Sequence, residues 1–132
     1  MRILIVEDEF VVAMSLKFLL TIMGHDVVGI ADDLASALNK SECTHPQLAF
    51  VDIQLALGAS GLDAAAELRK SGVICIFLSG NPPEEPRPDL ALGCLPKPFS
   101  DEALAGAIKI AKAVIEGLPL PTVPRDFELY RF

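Results

Sequence analysis

The sequence predicts an α/β domain, a doubly wound parallel sheet of five strands with helices on both faces, and three observations predict it. Short apolar runs alternate five times with longer segments of helical period, as in a chain that returns through a helix after each parallel strand. The runs are apolar at successive positions, as strands covered on both faces must be. The 132 residues, 52% of them hydrophobic, suffice for one buried core.

The first run, Ile3 to Val6, stops at the acidic cluster Glu7-Asp8-Glu9. Phe10 to Met23 reads as a helix closed by Gly24 in a left-handed position. Val27 to Ala31 is a second strand, Leu34 to Lys40 a second helix, and Leu48 to Val51 a third strand ending at Asp52. Gly61 to Lys70 is the third helix, and Val73 to Leu78 a fourth strand ending at Ser79. Pro82, Pro83, Pro86 and Pro88 each lack an amide donor, so the fourth helix is expected to be short or absent. Cys94-Leu95 is a short fifth strand leading to Pro96-Lys97-Pro98. The last helix follows, with Ser100 as its N-cap and Asp101 and Glu102 where the helix dipole favours negative charge. The expected division is a domain over 1–116 and a proline-rich tail over 117–132 carrying Phe127, Tyr130 and Phe132. The tail is either a partner-binding peptide or a frayed end, and the second is favoured because termini are loose unless tied down.

A net charge of −7 opposes binding to a phosphate backbone, which needs Lys and Arg to displace counterions, so no nucleic-acid partner is expected. Three cysteines, far apart and without a C-x-x-C pair, signal neither a disulfide framework nor a zinc site and fit a reducing cytoplasm. The start MRILIVEDE lacks the features of a signal peptide, and no apolar stretch approaches membrane-spanning length. A cytoplasmic protein without membrane contact is expected.

Ligands of an open parallel sheet bind beyond the carboxyl ends of its strands. There the sequence places Glu7 and Asp8 after strand one, Asp52 after strand three, Ser79 after strand four and Lys97 after strand five. Each has a task if a phosphoryl group moves to a carboxylate, since such catalysis is mostly positioning and charge neutralisation. Asp52 would be the nucleophile. Mg²⁺, a hard ion that keeps some of its waters, would be held directly by Asp8 and Asp52, through water by Glu7, and by the backbone carbonyl of Gln54. The Ser79 hydroxyl and the Lys97 ammonium would hold phosphoryl oxygens. Strand-end Asp and Ser residues often only cap helices or turns, but independent capping would not gather carboxylates, a hydroxyl and an ammonium at one sheet edge.

The segments VEDE at 6–9, VDIQL at 51–55, GLDAAAELR at 61–69, FLSG at 77–80 and LPKPF at 95–99 resemble the bacterial response-regulator receiver family, the CheY-like superfamily. The resemblance spans 1–116 and implies a flavodoxin-like (βα)5 fold with strand order 2-1-3-4-5. It implies Asp52 as the phosphorylation site, Glu7 and Asp8 as the acidic pair, Ser79 as the switch hydroxyl, Lys97 as the phosphate-contacting lysine and Lys97-Pro98 as a cis peptide. A two-component phosphorelay follows: a histidine kinase or histidine phosphotransfer protein is the donor, an unknown downstream protein the target, or the chain acts as a phosphate sink. No output domain is expected, and no enzyme activity beyond Mg²⁺-dependent self-phosphorylation and self-dephosphorylation.

Two positions depart from the family. Cys94 stands where the family usually has Tyr or Phe three residues before the lysine, which puts its aromatic coupling in doubt, and the fourth helix is broken. Both motivate an alternative, a phosphorylation-independent pseudo-receiver that serves only as an interaction module. A flavin carrier is disfavoured, because EDEF replaces the glycine- and hydroxyl-rich loop that a flavin phosphate needs. On the first helix, Val12, Leu16, Leu19 and Met23 form the stripe expected to face the sheet. Val11, Met14, Phe18 and Ile22 form a second apolar stripe, which suggests docking or a homodimer through that helix.

Overall fold

In the computed structural model, which describes residues 1–55, 61–83 and 85–130, the strands are β1 (Arg2–Val6), β2 (Asp26–Ala31), β3 (Leu48–Asp52), β4 (Ile74–Ser79), β5 (Gly93–Pro96) and β6 (Glu128–Leu129). The helices are α1 (Phe10–Ile22), α2 (Leu34–Thr44), α3 (Gly61–Lys70) and α4 (Asp101–Glu116). The sheet order is β2-β1-β3-β4-β5-β6. The first five strands are parallel in the expected order, and β6 joins β5 antiparallel.

Successive residues of each inner strand enter opposite layers, which is why the runs are apolar without alternation. Ile3, Ile5, Leu48, Phe50, Ile76 and Leu78 pack against α1 and α4, in a cluster with Leu16, Leu20, Leu104 and Ile108. Leu4, Val6, Ala49, Val51, Cys75 and Phe77 pack on the other face with Ala37 of α2 and Ala64, Ala65 and Leu68 of α3. Every residue of β3 is buried, so Asp52 leaves the centre of the sheet at its carboxyl edge.

The helix ends follow their sequence signals. Asp33 accepts the Ser36 N–H at 2.7 Å to start α2, and Ser100 accepts the Ala103 N–H at 3.1 Å to start α4. Gly24 and Gly117 take the left-handed conformation past the ends of α1 and α4. The helix α2 runs on to Thr44, beyond the expected Lys40, until His45 turns left-handed. Among the described residues no helix lies between β4 and β5; Arg87 to Leu90 form a turn, and Leu90, Ala91 and Leu92 are buried.

Two expectations are corrected. The most buried residues of α1 are Ala13, Leu16 and Leu20; of the expected stripe Leu19 and Met23 are half-buried but pack against the same core, whereas Val12 does not join it. Small Ala13 sits at the contact with the sheet, and the helix is turned by about one residue from the stripe of largest side chains. The tail is not frayed between Leu118 and Tyr130. Phe127 and Tyr130 are buried in opposite layers, and β6 extends the sheet, so apolar anchoring offsets the looseness of a chain end. Phe132 lies outside the described residues.

Candidate functional site

The carboxyl ends of β1, β3, β4 and β5 meet at one rim because the parallel registers hold them level. Val6 pairs with Val51, Asp52 with Leu78, and Ser79 with Pro96. The residues just past those pairs are Glu7, Asp8 and Lys97, which are therefore brought together with Asp52 and Ser79 at one edge.

The Lys97 ammonium donates to Glu7 Oε2 at 2.7 Å and to Asp52 Oδ2 at 3.1 Å. Glu7, Asp8 and Asp52 each offer a carboxylate oxygen within 4.8 Å of the others. Glu7 and Asp52 are 2% and 5% exposed, too little for water to screen them, while Asp8 is half-buried. Backbone donors fix the two buried carboxylates: Glu9 N–H gives to Glu7 Oε1 at 3.2 Å, and Gln54 N–H gives to Asp52 Oδ1 at 2.9 Å. Ser79, also buried, accepts the Asn81 N–H on Oγ at 2.9 Å. Lys97 N–H donates to the Ser79 carbonyl at 2.8 Å, and the Lys97-Pro98 peptide is cis, as the family resemblance implies.

Two carboxylates share one ammonium, so the site has one negative charge too many before Asp8 is counted. Burial pushes the Glu7 carboxyl up to about 7; the Lys97 ammonium opposes this, and the hydrogen bond with Asp52 adds to it. For Lys97, burial works against the charged form, yet its hydrogen bonds to Glu7 and Asp52 prevail and hold its pKa above the ordinary lysine value. A compact divalent cation suits this donor set: three hard oxygen ligands, close together, with excess negative charge. The residues present therefore fit the Mg²⁺ that the sequence suggests.

Gly61 keeps this edge tight. A Cβ there would lie 1.9 Å from the Asp52 carbonyl oxygen, and the Gly61 N–H donates to the Ile53 carbonyl at 2.9 Å. The start of α3 thus presses directly on the exit of β3.

Beside the carboxylates a cavity of about 410 Å³ is lined in part by Glu7, Asp8, Asp32 and Lys40. Sequence reasoning passed over Asp32 and Lys40. Asp32 had a signal, its place directly after β2, whereas Lys40 is brought in by the packing of α2, where its ammonium bonds the Ile30 carbonyl. On the other side, Val11, Val12, Ser15 and Leu19 of α1 line an open groove with Lys97, Pro98 and Phe99. The second stripe of α1 is exposed as expected, Val11, Phe18 and Ile22 by 65% or more and Met14 by 39%. Among the described residues no helix is long and apolar enough to cross a membrane.

Residues 3–109 match the response regulator receiver domain family. The chain is 39% identical over 117 residues to the phyllosphere-induced regulator PhyR of Methylorubrum extorquens, covering 83% of this chain and 43% of that protein. It is 33% identical over 115 residues to the transcriptional regulatory protein PdtaR of Mycobacterium tuberculosis, covering 83% of this chain and 56% of that protein. The chain therefore spans about half the length of these curated relatives. Among solved structures, the anti-anti-sigma factor PhyR of Bartonella quintana superposes with a TM-score of 0.77 at 30% identity, over 88% of this chain and 49% of that one.

Proposed function

The chain belongs to the response regulator receiver domain family, and on that premise we propose that it accepts a phosphoryl group on Asp52 from a phosphohistidine of a histidine kinase or histidine phosphotransfer protein. The observation that carries this is the joint placement of Glu7, Asp8 and Asp52 within 4.8 Å, with Lys97 bonded to two of them.

An Asp52 oxygen attacks phosphorus, the bond from phosphorus to the histidine nitrogen breaks, and an aspartyl phosphate forms. Asp8 and Asp52 would hold Mg²⁺ directly, Glu7 would hold it through water, and the Gln54 carbonyl would supply a further oxygen. When bound, the ion neutralises charge developing on the phosphoryl oxygens. Lys97 leaves Asp52 for a phosphoryl oxygen, a short move for an ammonium already between two carboxylates. Ser79 turns to donate its hydroxyl to another phosphoryl oxygen, a movement that carries Oγ away from the Asn81 N–H. Water later attacks the phosphorus, the bond to the Asp52 oxygen breaks, inorganic phosphate leaves and the carboxylate is restored, so the chain promotes only its own phosphorylation and dephosphorylation.

The signal leaves by protein contact, or the chain drains phosphoryl groups from the relay. Support for protein contact comes from the relative named as an anti-anti-sigma factor, and from the acidic net charge, which disfavours nucleic acid. The test is incubation with acetyl phosphate and Mg²⁺ followed by mass spectrometry. One phosphoryl group is expected on the wild type and none on Asp52→Ala; an unmodified wild type would favour the pseudo-receiver instead.

A further inference from the structure

The strap from Leu118 to Tyr130 crosses α4 and the edge of β5 where only glycine admits it. A Cβ on Gly106 would lie 2.1 Å from Pro124 Cγ, and one on Gly93 would lie 2.3 Å from the Glu128 carbonyl oxygen. Beyond these points the Tyr130 N–H donates to the Leu92 carbonyl at 2.9 Å. The Tyr130 ring meets Phe77 edge-on, with 6.4 Å between centroids.

These contacts lie one step behind the rim. Phe77 precedes Ser79 by two residues on β4, and Cys94, in the same cluster as Tyr130, precedes Lys97 by three. A small side chain at Cys94 leaves room for the ring. The connection between the two strands begins at Asn81, held by Ser79 Oγ, and ends at Leu90 and Ala91, which share the Tyr130 cluster, and Leu92, which holds its amide. Among the described side chains the buried Tyr130 hydroxyl meets only the Cys94 thiol, a weak hydrogen-bonding group. A phenol so placed is better satisfied in water, so one group opposes docking.

We infer that the strap is a releasable element whose docking is linked to the state of the Asp52 site through Tyr130; this rests on the function proposed above. A phosphoryl group that draws the Ser79 side chain toward it moves Oγ off the Asn81 N–H, loosens the connection as far as Leu92 and favours the undocked strap. Linkage is reciprocal, so an undocked strap favours the filled site by the same factor.

Tyr130 is the one tyrosine and there is no tryptophan, so intrinsic emission reports on the strap alone. Beryllofluoride with Mg²⁺ serves as the phosphoryl mimic, and fluorine NMR of the bound species shows that the site is filled. At saturation, acrylamide quenching of Tyr130 and hydrogen exchange at its amide are expected to rise about fivefold or more. Gly106→Ala, which displaces Pro124 yet suits a helix, is expected to bind beryllofluoride tighter by the same factor. Tyr130→Phe keeps the ring and removes the poorly partnered hydroxyl, and is expected to bind it more weakly. Unchanged or reduced quenching with the mimic bound, or wild-type affinity in both variants, overturns the linkage and leaves the phosphoacceptor function standing. Absence of bound mimic together with absence of phosphoryl uptake overturns both.

Discussion

Burial raises the Glu7 pKa from an ordinary 4.5 to about 7, so the folded chain holds a proton that the unfolded chain has released. The stability contributed is therefore complete below about 4.5 and lost as pH rises through about 7. In metal-free protein the denaturation midpoint of wild type relative to Glu7→Gln is expected to fall across that window. Saturating Mg²⁺ should flatten the difference, because a cation replaces the proton; urea titrations at several pH values with and without chelator measure it. The thiols divide in a similar way. Burial pushes Cys75 up to about 12 and Cys94 up to about 11, whereas Cys43 is exposed. Ellman's reagent is expected to titrate one thiol in the folded protein and three in denaturant. At this scale the site was legible because its residues stand at strand ends, where register alone brings them together. Tyr130 was not, since nothing local in its sequence marks a partner as distant as Phe77.

Single elements show where local signals decide and where packing overrules them. The Ser100 cap was legible from its own residues, and Ser100→Ala is expected to cost about 1 kcal/mol of stability with phosphoryl uptake unchanged. Gly61 lies outside such rules, because its constraint is the Asp52 carbonyl across the α3–β3 junction. Gly61→Ala is expected to cost about 1–3 kcal/mol and also to slow phosphoryl uptake, read by chemical denaturation and by mass spectrometry. The buried face of α1 was misjudged by one residue because large apolar side chains run nearly all round that helix. With such a pattern the small residue at the closest approach, Ala13, decides orientation, and only the packed structure reveals it.

For the whole molecule, five parallel strands were legible since each inner strand is covered on both faces and so reads as an unbroken apolar run. The sixth was not, because two residues carry no period and their pairing depends on Gly93 of a distant strand. The covered sheet also means that α1 adds little to stability through its outer stripe. Phe18→Glu, at a side chain 65% exposed, is expected to shift stability by less than about 0.5 kcal/mol, while sedimentation velocity tests whether that stripe joins two copies.

The antiparallel pairing of Glu128 and Leu129 with β5 also has a colloidal consequence. An uncovered strand margin, with its idle amides and carbonyls, is a template on which another chain can add itself. On the far flank β2 carries Asp26 and an irregular register against β1, both of which discourage such addition. On the near flank the shield among the described residues is the short return strand, so shortening the protein at Gly117 should leave it prone to clump, as rising light scatter on storage would reveal.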